Sequence, residues 1–257
     1  MGLMQSVKQQ QRKKCAPKGI IYGGPGVGKT TFAALAPGHF FIDVENGANW
    51  VRDPATGKRI DVAKTPYLET WEGIEQWLES FEKDDHGYKI LVVDTLDWLV
   101  RRLEEHVTGV SKGQYANTLT GGKFAFGVGK RTLKNYIYRS VLPSLDRVVE
   151  RGIAVILLAH TARDEFVSED GAKRQKACPD IEDCISVFSE WVDFLCLARK
   201  TEAGERYMIT EDTDYALAKN RYGLPSKIEF KWSTFADAVA ASINTESKKE
   251  VANNGGN

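Results

Sequence analysis

The sequence is poor in cysteine, has no long apolar run and carries no excess charge of either sign. Four cysteines without C-x-x-C spacing exclude a disulfide framework and argue against a zinc site, whose ligands usually come in close pairs. No apolar stretch approaches the roughly 18 residues of a membrane span, and the first residues lack the apolar core of a signal peptide. We therefore expect a cytoplasmic protein with no membrane partner.

Lysine and arginine together number 35, as do aspartate and glutamate, so the chain is formally neutral. This balance excludes a protein that binds nucleic acid through an overall basic charge, but it leaves room for a local basic patch. Residues 1–17 are polar and basic and predict a flexible arm, and residues 244–257 are rich in Asn and Gly and predict a disordered tail. Residues 18–243 remain as one domain.

Four short runs of almost continuous apolar residues predict strands that are buried on both faces, which is typical of a parallel sheet. The four runs are residues 19–22, 39–44, 89–94 and 153–159. Stretches with apolar residues at helical spacing, such as 71–81 and 130–150, lie between them. The predicted fold class is α/β, with a mostly parallel central sheet flanked by helices.

The segment GGPGVGKT fits the phosphate-loop pattern G-x-x-x-x-G-K-[ST] in full. It follows the first predicted strand and opens a helix, which is the context in which backbone N–H groups cradle phosphates. Lys29 is expected to reach the β- and γ-phosphates of ATP, and Thr30 to hold Mg²⁺, so ATP and Mg²⁺ are the predicted cofactors. The predicted nucleotide contacts are Gly23, Gly24, Pro25, Gly26, Val27, Gly28, Lys29, Thr30 and Thr31.

Other polar residues lie where predicted strands end, at the sheet edge that faces a ligand. Asp94 ends the run ILVVD and is expected to provide a second Mg²⁺ contact. No glutamate follows it, so the general base must come from another strand, and Glu45 is favoured over Asp43, which suits a structural role better. His160 follows the fourth strand and predicts a sensor of the γ-phosphate, with a capping histidine as the alternative.

The order of these residues resembles that of the RecA-like recombinase ATPases over about residues 18–231. In that family a D-x-E segment supplies the base, and the magnesium aspartate and a polar sensor follow, as Asp43-Val44-Glu45, Asp94 and His160 do here. The segments YGGPGVGKTTFA, FFIDVENG, ILLAHT and AKNRYGLP are similar to those of phage-encoded proteins of the Sak single-strand-annealing group. The resemblance implies a RecA-like ATPase core that acts in a phage-infected bacterial cell.

The later segment KNRYG resembles the K-N-R-F-G segment of RadA-type members of that family. The resemblance implies that Lys219 and Arg221 reach the nucleotide of a neighbouring subunit in a ring or short filament, with a surface turn as the alternative. Phe235-Ala236-Asp237-Ala238 fits the F-x-x-A pattern with which recombinases dock neighbours, although one face of an amphipathic helix explains it equally well. We therefore expect a homo-oligomer.

Residues 106–145 contain no acidic residue, but they contain six lysines and arginines interleaved with five aromatic residues. Cations beside aromatic rings suit single-stranded DNA, because the charges follow the phosphates and the rings stack on bases. The stretch lies where the family has its first DNA loop, and the alternative is a solvated loop followed by a helix. The predicted contacts here are Lys112, Tyr115, Lys123, Phe124, Phe126, Lys130 and Arg131.

Residues 161–180 match the position of the family's second DNA loop. They are mixed in charge, and the predicted contacts are Arg163, Lys173 and Arg174. Because this segment directly follows His160, its position would couple the state of the nucleotide to DNA binding.

Together these features predict an ATP- and Mg²⁺-dependent recombination protein that binds single-stranded DNA and promotes strand annealing or pairing. Hydrolysis is expected to be stimulated by DNA, and a single-strand-binding protein is a further candidate partner. Two alternatives stay open: a DNA motor ATPase similar to DnaB or RadA, and a DNA-binding module whose affinity ATP switches with little hydrolysis.

Overall fold

The computed structural model of the protein describes residues 15–109, 119, 124, 126–167 and 173–254. Within these ranges the strands are β1 (Lys18–Gly23), β2 (His39–Asp43), β3 (Ile90–Asp94), β4 (Ala154–Ala159), β5 (Thr161–Val167), β6 (Lys173–Pro179), β7 (Phe194–Lys200), β8 (Arg206–Ile209), β9 (Lys219–Asn220) and β10 (Lys227–Glu229). The helices are α1 (Lys29–Ala34), α2 (Trp71–Lys83), α3 (Leu96–Thr108), α4 (Val128–Tyr136), α5 (Leu142–Glu150), α6 (Ile185–Trp191) and α7 (Trp232–Asn254).

One sheet forms the centre of the protein, in the order β10-β8-β7-β1-β4-β3-β2, with β9 also pairing to β7. The pairs β2/β3, β3/β4, β4/β1 and β1/β7 are parallel, whereas β8, β9 and β10 pair in the antiparallel direction. The parallel strands are buried on both faces because their apolar residues are continuous. The predicted α/β fold with a mostly parallel sheet is confirmed, and the carboxyl ends of β1 to β4 meet at one edge.

Helix α2 shows why the sequence pattern predicts these elements well. Its first turn is capped by Thr70, whose hydroxyl accepts a hydrogen bond of 3.2 Å from the Gly73 N–H. Apolar residues at helical spacing form its buried face, namely Trp71, Ile74, Leu78 and Phe81. Trp71 and Phe81 are therefore part of the core.

Two segments differ from the sequence prediction. Residues 161–180, treated there as a loop, contain the antiparallel hairpin β5–β6, in which Arg163 lies opposite Ala177. Helix α7 continues to Asn254, so the predicted start of a tail at residue 244 falls inside a helix.

The F-x-x-A segment belongs to the core. Phe235 is buried, with its ring 5.8 Å from that of Phe32 and 5.1 Å from that of Phe194. Because its ring already packs against the sheet and α1, it is not available to dock a neighbouring subunit. Among the described residues, no helix is long and apolar enough to span a membrane.

Candidate nucleotide-binding site

The phosphate loop connects β1 to α1 and depends on glycine at specific positions. Gly26 and Gly28 have φ values of 73° and 100°, a region that favours glycine. Gly23 lies so close to β7 that a Cβ atom there would be 2.7 Å from the carbonyl oxygen of Ala198. The tip of the loop, Pro25 and Gly26, is exposed, so the predicted phosphate-binding backbone is open to a ligand.

Lys29 and Asp94 are charged residues that lie buried beside the loop, with side chains 7% and 1% exposed. The Lys29 ammonium donates hydrogen bonds to the carbonyl oxygens of Gly23, at 2.8 Å, and Gly24, at 3.4 Å. Burial lowers the pKa of Lys29, while the Asp94 carboxylate opposes that shift. Burial raises the pKa of Asp94 to about 7, against the opposing influence of the Thr30 hydroxyl. Bound phosphates would favour the charged form of the lysine, and a bound cation that of the aspartate.

The residues at this position fit a magnesium ion. Asp94 Oδ2 is buried and has no hydrogen-bond partner among the described residues, which is an unfavourable state that a cation would relieve. The hydroxyl of Thr30 and the carboxylate of Asp94 are the oxygen donors that Mg²⁺ prefers. Within the described ranges no cluster of three or more His, Cys, Asp or Glu could hold a metal alone. This agrees with an ion held by one or two protein groups together with substrate phosphates.

Asp43 and Glu45 lie in different environments although two residues apart. Asp43 is fully buried, and its carboxylate binds the Lys64 ammonium at 2.5 Å and accepts a hydrogen bond of 2.6 Å from the Asn46 N–H. The side chain of Glu45 is one-third exposed, and its backbone N–H donates to the Asp94 carbonyl at 3.2 Å. The Asp43 carboxylate is thus buried and paired, and Glu45 is the acid that remains accessible at the ligand edge.

His160 follows β4 and is fixed by Asp97, a residue in the first turn of α3. Asp97 accepts hydrogen bonds from the His160 backbone N–H at 2.9 Å and pairs with its Nδ1 at 2.8 Å. The other ring nitrogen, Nε2, lies 3.5 Å from Glu45 Oε1. The hydrogen bond to Asp97 raises the pKa of His160; burial alone would raise the pKa of Asp97, but its bonds to His160 lower it overall.

Two residues of this site were not predicted from the sequence. Asp97 was missed because its partner is 63 residues away, although an acid three residues after Asp94 in a helix first turn was a usable signal. Arg206 on β8 was missed because only the fold brings it to the loop. A Cβ atom on Gly28 would lie 3.8 Å from its Nε.

Lys219 and Arg221 lie at the opposite edge of the sheet from the phosphate loop. Lys219 pairs with Leu195 near the start of β7, and its ammonium donates to the carbonyl oxygens of Ser189, at 2.7 Å, and Glu190, at 3.0 Å. Arg221 pairs with Asp193 at 3.3 Å. Neither cation can act on the nucleotide of its own subunit, so the predicted role across an interface stays a prediction.

The predicted DNA contacts of residues 106–145 are placed only in part. Lys112, Tyr115 and Lys123 lie outside the described residues. Phe124 is 7% exposed, so the prediction that it stacks on a base is wrong, because its ring is already buried. Lys130 pairs with Asp183 at 2.6 Å, which offsets its charge. The remaining two, Phe126 and Arg131, are exposed.

The predicted contacts of residues 161–180 lie on the β5–β6 hairpin. Arg163, Lys173 and Arg174 are exposed, and Arg174 pairs with Asp214 at 3.1 Å. The Arg163 guanidinium donates a hydrogen bond of 3.2 Å to Gln175 Oε1. The hairpin begins directly after His160 and returns to it, because the Asp180 N–H donates to the His160 carbonyl at 3.0 Å.

A parallel sheet with a phosphate loop after its central strand and a buried carboxylate at the end of a nearby strand defines a phosphate-loop nucleotide-binding protein. A family model described as an AAA domain matches residues 16–222, which is most of the chain. The chain therefore belongs to the AAA domain family, whose fold and loop are those of an ATPase. No curated protein matched the sequence.

Proposed function

We propose that this ATPase is a recombination protein of the RecA-like, Sak-type phage group, which binds single-stranded DNA and promotes annealing or pairing of strands. It uses ATP and Mg²⁺, its hydrolysis is stimulated by DNA, and it acts as a homo-oligomer in the cytoplasm of the host. The observation that carries the proposal is the junction at His160. This residue contacts the candidate base on one side and forms the root of the β5–β6 hairpin on the other.

The chemistry at the loop follows from the positions of four side chains. Lys29 binds the β- and γ-phosphates after it leaves the carbonyl oxygens of Gly23 and Gly24. Thr30 and Asp94 hold Mg²⁺, which, when bound, neutralises charge on the phosphate oxygens. Glu45 orients a water molecule and accepts its proton as the water oxygen bonds to the γ-phosphorus, while the bond from that phosphorus to the β–γ bridging oxygen breaks and ADP leaves.

The His160 junction gives DNA a route to Glu45. Imidazolium at His160 would attract the Glu45 carboxylate at 3.5 Å and hold it away from the water. A strand bound to the cations of the hairpin pulls on the backbone that carries His160. Movement of the ring would then release Glu45, which accounts for hydrolysis that depends on DNA.

Annealing of two complementary oligonucleotides, followed by fluorescence, tests the proposal. We expect wild-type protein with ATP and Mg²⁺ to accelerate annealing and Lys29→Ala protein to lose the ATP-dependent part. If wild-type protein fails to accelerate annealing and fails to bind single strands, the recombination proposal is wrong and only the ATPase remains.

The contact between Glu45 and His160 also favours a second candidate, a DNA-binding module with an ATP-operated switch and little hydrolysis. Glu45→Gln separates the two. If annealing survives while hydrolysis stops, ATP binding alone operates the switch. If both stop, hydrolysis is part of the annealing cycle.

A further inference from the structure

A cavity of about 670 Å³ lies beside the phosphate loop, between the ends of β1 and β7 and the β5–β6 hairpin. We call it the loop cavity. Residues 24–27 form one wall, and Arg163, Arg199, Lys200 and Tyr215 are among the other residues that line it. The cavity lies on the side of β1 that faces β7. Asp94, at the end of β3, and Glu45 and His160, which follow β2 and β4, lie on the other side of β1.

Three of the residues that line the loop cavity are cations, and none is an acid. Arg199 and Lys200 are exposed and form no ion pair with any residue that the structure describes. Lys200 also lies directly opposite Arg206 in the β7–β8 ladder. Like charges in that position destabilise a sheet, so the arrangement has a cost that a bound anion would offset.

Tyr215 adds a second kind of group to the cavity. Its side chain is 54% exposed, although tyrosine rings usually bury most of their surface. An exposed ring together with cations is the combination that binds a phosphate and an adjacent base. Neutral ligands such as a free base would not require three cations.

We propose that the loop cavity binds a nucleotide unit, a phosphate with an adjacent base, in addition to the phosphates that Lys29 binds. Two sources supply this chemistry, a single-stranded nucleic acid and a free nucleotide. The strand is the source that rests on the proposed function. Because residues 24–27 form a wall of the cavity, a unit bound there contacts the phosphate loop directly.

The experiment compares three full-length variants with wild-type protein. Arg199→Gln with Lys200→Gln removes two cations of the cavity, and Tyr215→Ala removes the ring. The matched control, Lys83→Gln with Lys89→Gln, removes two exposed cations outside the cavity and the phosphate loop. Binding of a fluorescent oligothymidylate with Mg²⁺–ATP, over a range of salt concentrations, forms the strand arm, and binding of fluorescent ADP without DNA forms the nucleotide arm.

In the strand arm we expect the cavity double variant to reduce the slope of log K against log salt by about 1.4, since each phosphate contact on a single strand contributes about 0.7. Tyr215→Ala should weaken strand binding about fivefold or more. The control should keep the wild-type salt slope and the wild-type affinity for the strand, apart from the long-range effect of removing two positive charges.

Each outcome decides the proposal. A change in the strand arm alone supports the cavity with a strand as its ligand. A second equivalent of ADP, bound by wild-type protein and lost in the cavity variants, supports it with a free nucleotide. Cavity variants that match the control in both arms overturn it. If wild-type protein binds no strand at all, the proposed recombination function fails, and the nucleotide arm still decides whether the cavity binds a nucleotide unit.

Discussion

At the carboxyl ends of β1 and β3, charged groups are buried without full partners, whereas at the amino ends of β1 and β7 the cations are bound within their own chain. Within the described part of the chain, Asp94 Oδ2 has no hydrogen-bond partner, and the Lys29 ammonium donates only to loop carbonyl oxygens. At the other edge, Lys219 binds two carbonyl oxygens at the end of α6 and Arg221 binds Asp193. The first edge therefore contains interactions that a ligand would complete.

This difference indicates which contacts must break for function. At the loop edge, binding of phosphate and cation removes the cost of burying the charges of Lys29 and Asp94. At the opposite edge, Lys219 and Arg221 must leave partners in their own subunit before they can reach a neighbour. We therefore expect the loop edge to bind ATP before subunits assemble, and the opposite edge to act only after they assemble.

The largest effect should come from replacing Arg221, which lies at the edge of the sheet opposite the phosphate loop. If Arg221 acts across an interface, Arg221→Ala should reduce hydrolysis by the assembled protein by about 10³–10⁵. Mixing this variant with Lys29→Ala protein should restore part of the activity, because one variant keeps the intact loop and the other keeps the arginine. The rates of the single variants and of the mixture are to be measured. An unchanged rate for Arg221→Ala would show that the arginine only pairs with Asp193.

The second effect compares the two acids that follow β2. Glu45→Gln should lower the hydrolysis rate by about 10²–10⁴ with little change in stability, because an exposed general base is lost. Asp43→Asn should instead lower the free energy of unfolding by about 3 kcal/mol, since it leaves Lys64 without its buried partner. Rate assays and denaturant unfolding of both variants test this. Exchanged phenotypes would make Asp43 the base.

The third effect concerns the residue that fixes His160. Asp97→Asn should lower the pKa of His160 toward its ordinary value and raise hydrolysis in the absence of DNA, because a neutral, less firmly fixed ring no longer holds Glu45 away from the water. NMR titration of the His160 ring measures the pKa and a steady-state assay measures the rate. A His160 pKa that does not move in the variant would contradict the assignment of Asp97.

The same pair predicts how stability depends on pH. The pKa of His160 is raised, so its pairing stabilises the fold fully below the unfolded value of about 6.5 and less as pH rises through the folded value. The pKa of Asp97 is lowered, so its contribution is present above about 3.9 and is lost as pH falls through the folded value. Asp97→Asn should therefore lower the free energy of unfolding more at pH 6 than at a pH above the folded pKa of His160. Denaturant unfolding at these two pH values tests this.

The smallest effect should come from a site remote from both edges. Thr70→Ala removes the hydrogen bond to the Gly73 N–H at the start of α2 and should cost about 1 kcal/mol in unfolding free energy. Hydrolysis should stay at the wild-type rate. A loss of activity larger than the loss of folded protein would show that α2 takes part in the reaction, which contradicts the division between the edges.

The fold and the phosphate loop could be predicted because both depend on local patterns. The apolar runs at 19–22 and 89–94 are nearly continuous, and only burial on both faces explains such runs. The loop pattern requires its glycines at fixed spacing, and Gly26 and Gly28 do have positive φ values. These signals lie within a few residues of each other in the sequence.

The remaining features depend on contacts between distant residues. The structural role of Asp43 is set by Lys64, 21 residues later, and the orientation of His160 by Asp97, 63 residues earlier. Phe124 resembled an exposed ring in sequence, and only tertiary packing shows that it is buried. Charge and aromatic composition indicate what a segment can bind, but they do not indicate which of its side chains are buried or paired in the folded protein.

The most direct test of the account is the rate of ATP hydrolysis with and without single-stranded DNA, with Lys29→Ala protein as the blank. The account predicts hydrolysis that single strands stimulate, and a variant that loses both the basal and the stimulated rate. Hydrolysis that is present in wild-type protein but indifferent to DNA would contradict the coupling through His160, and the protein would then be an ATPase without the proposed link to nucleic acid.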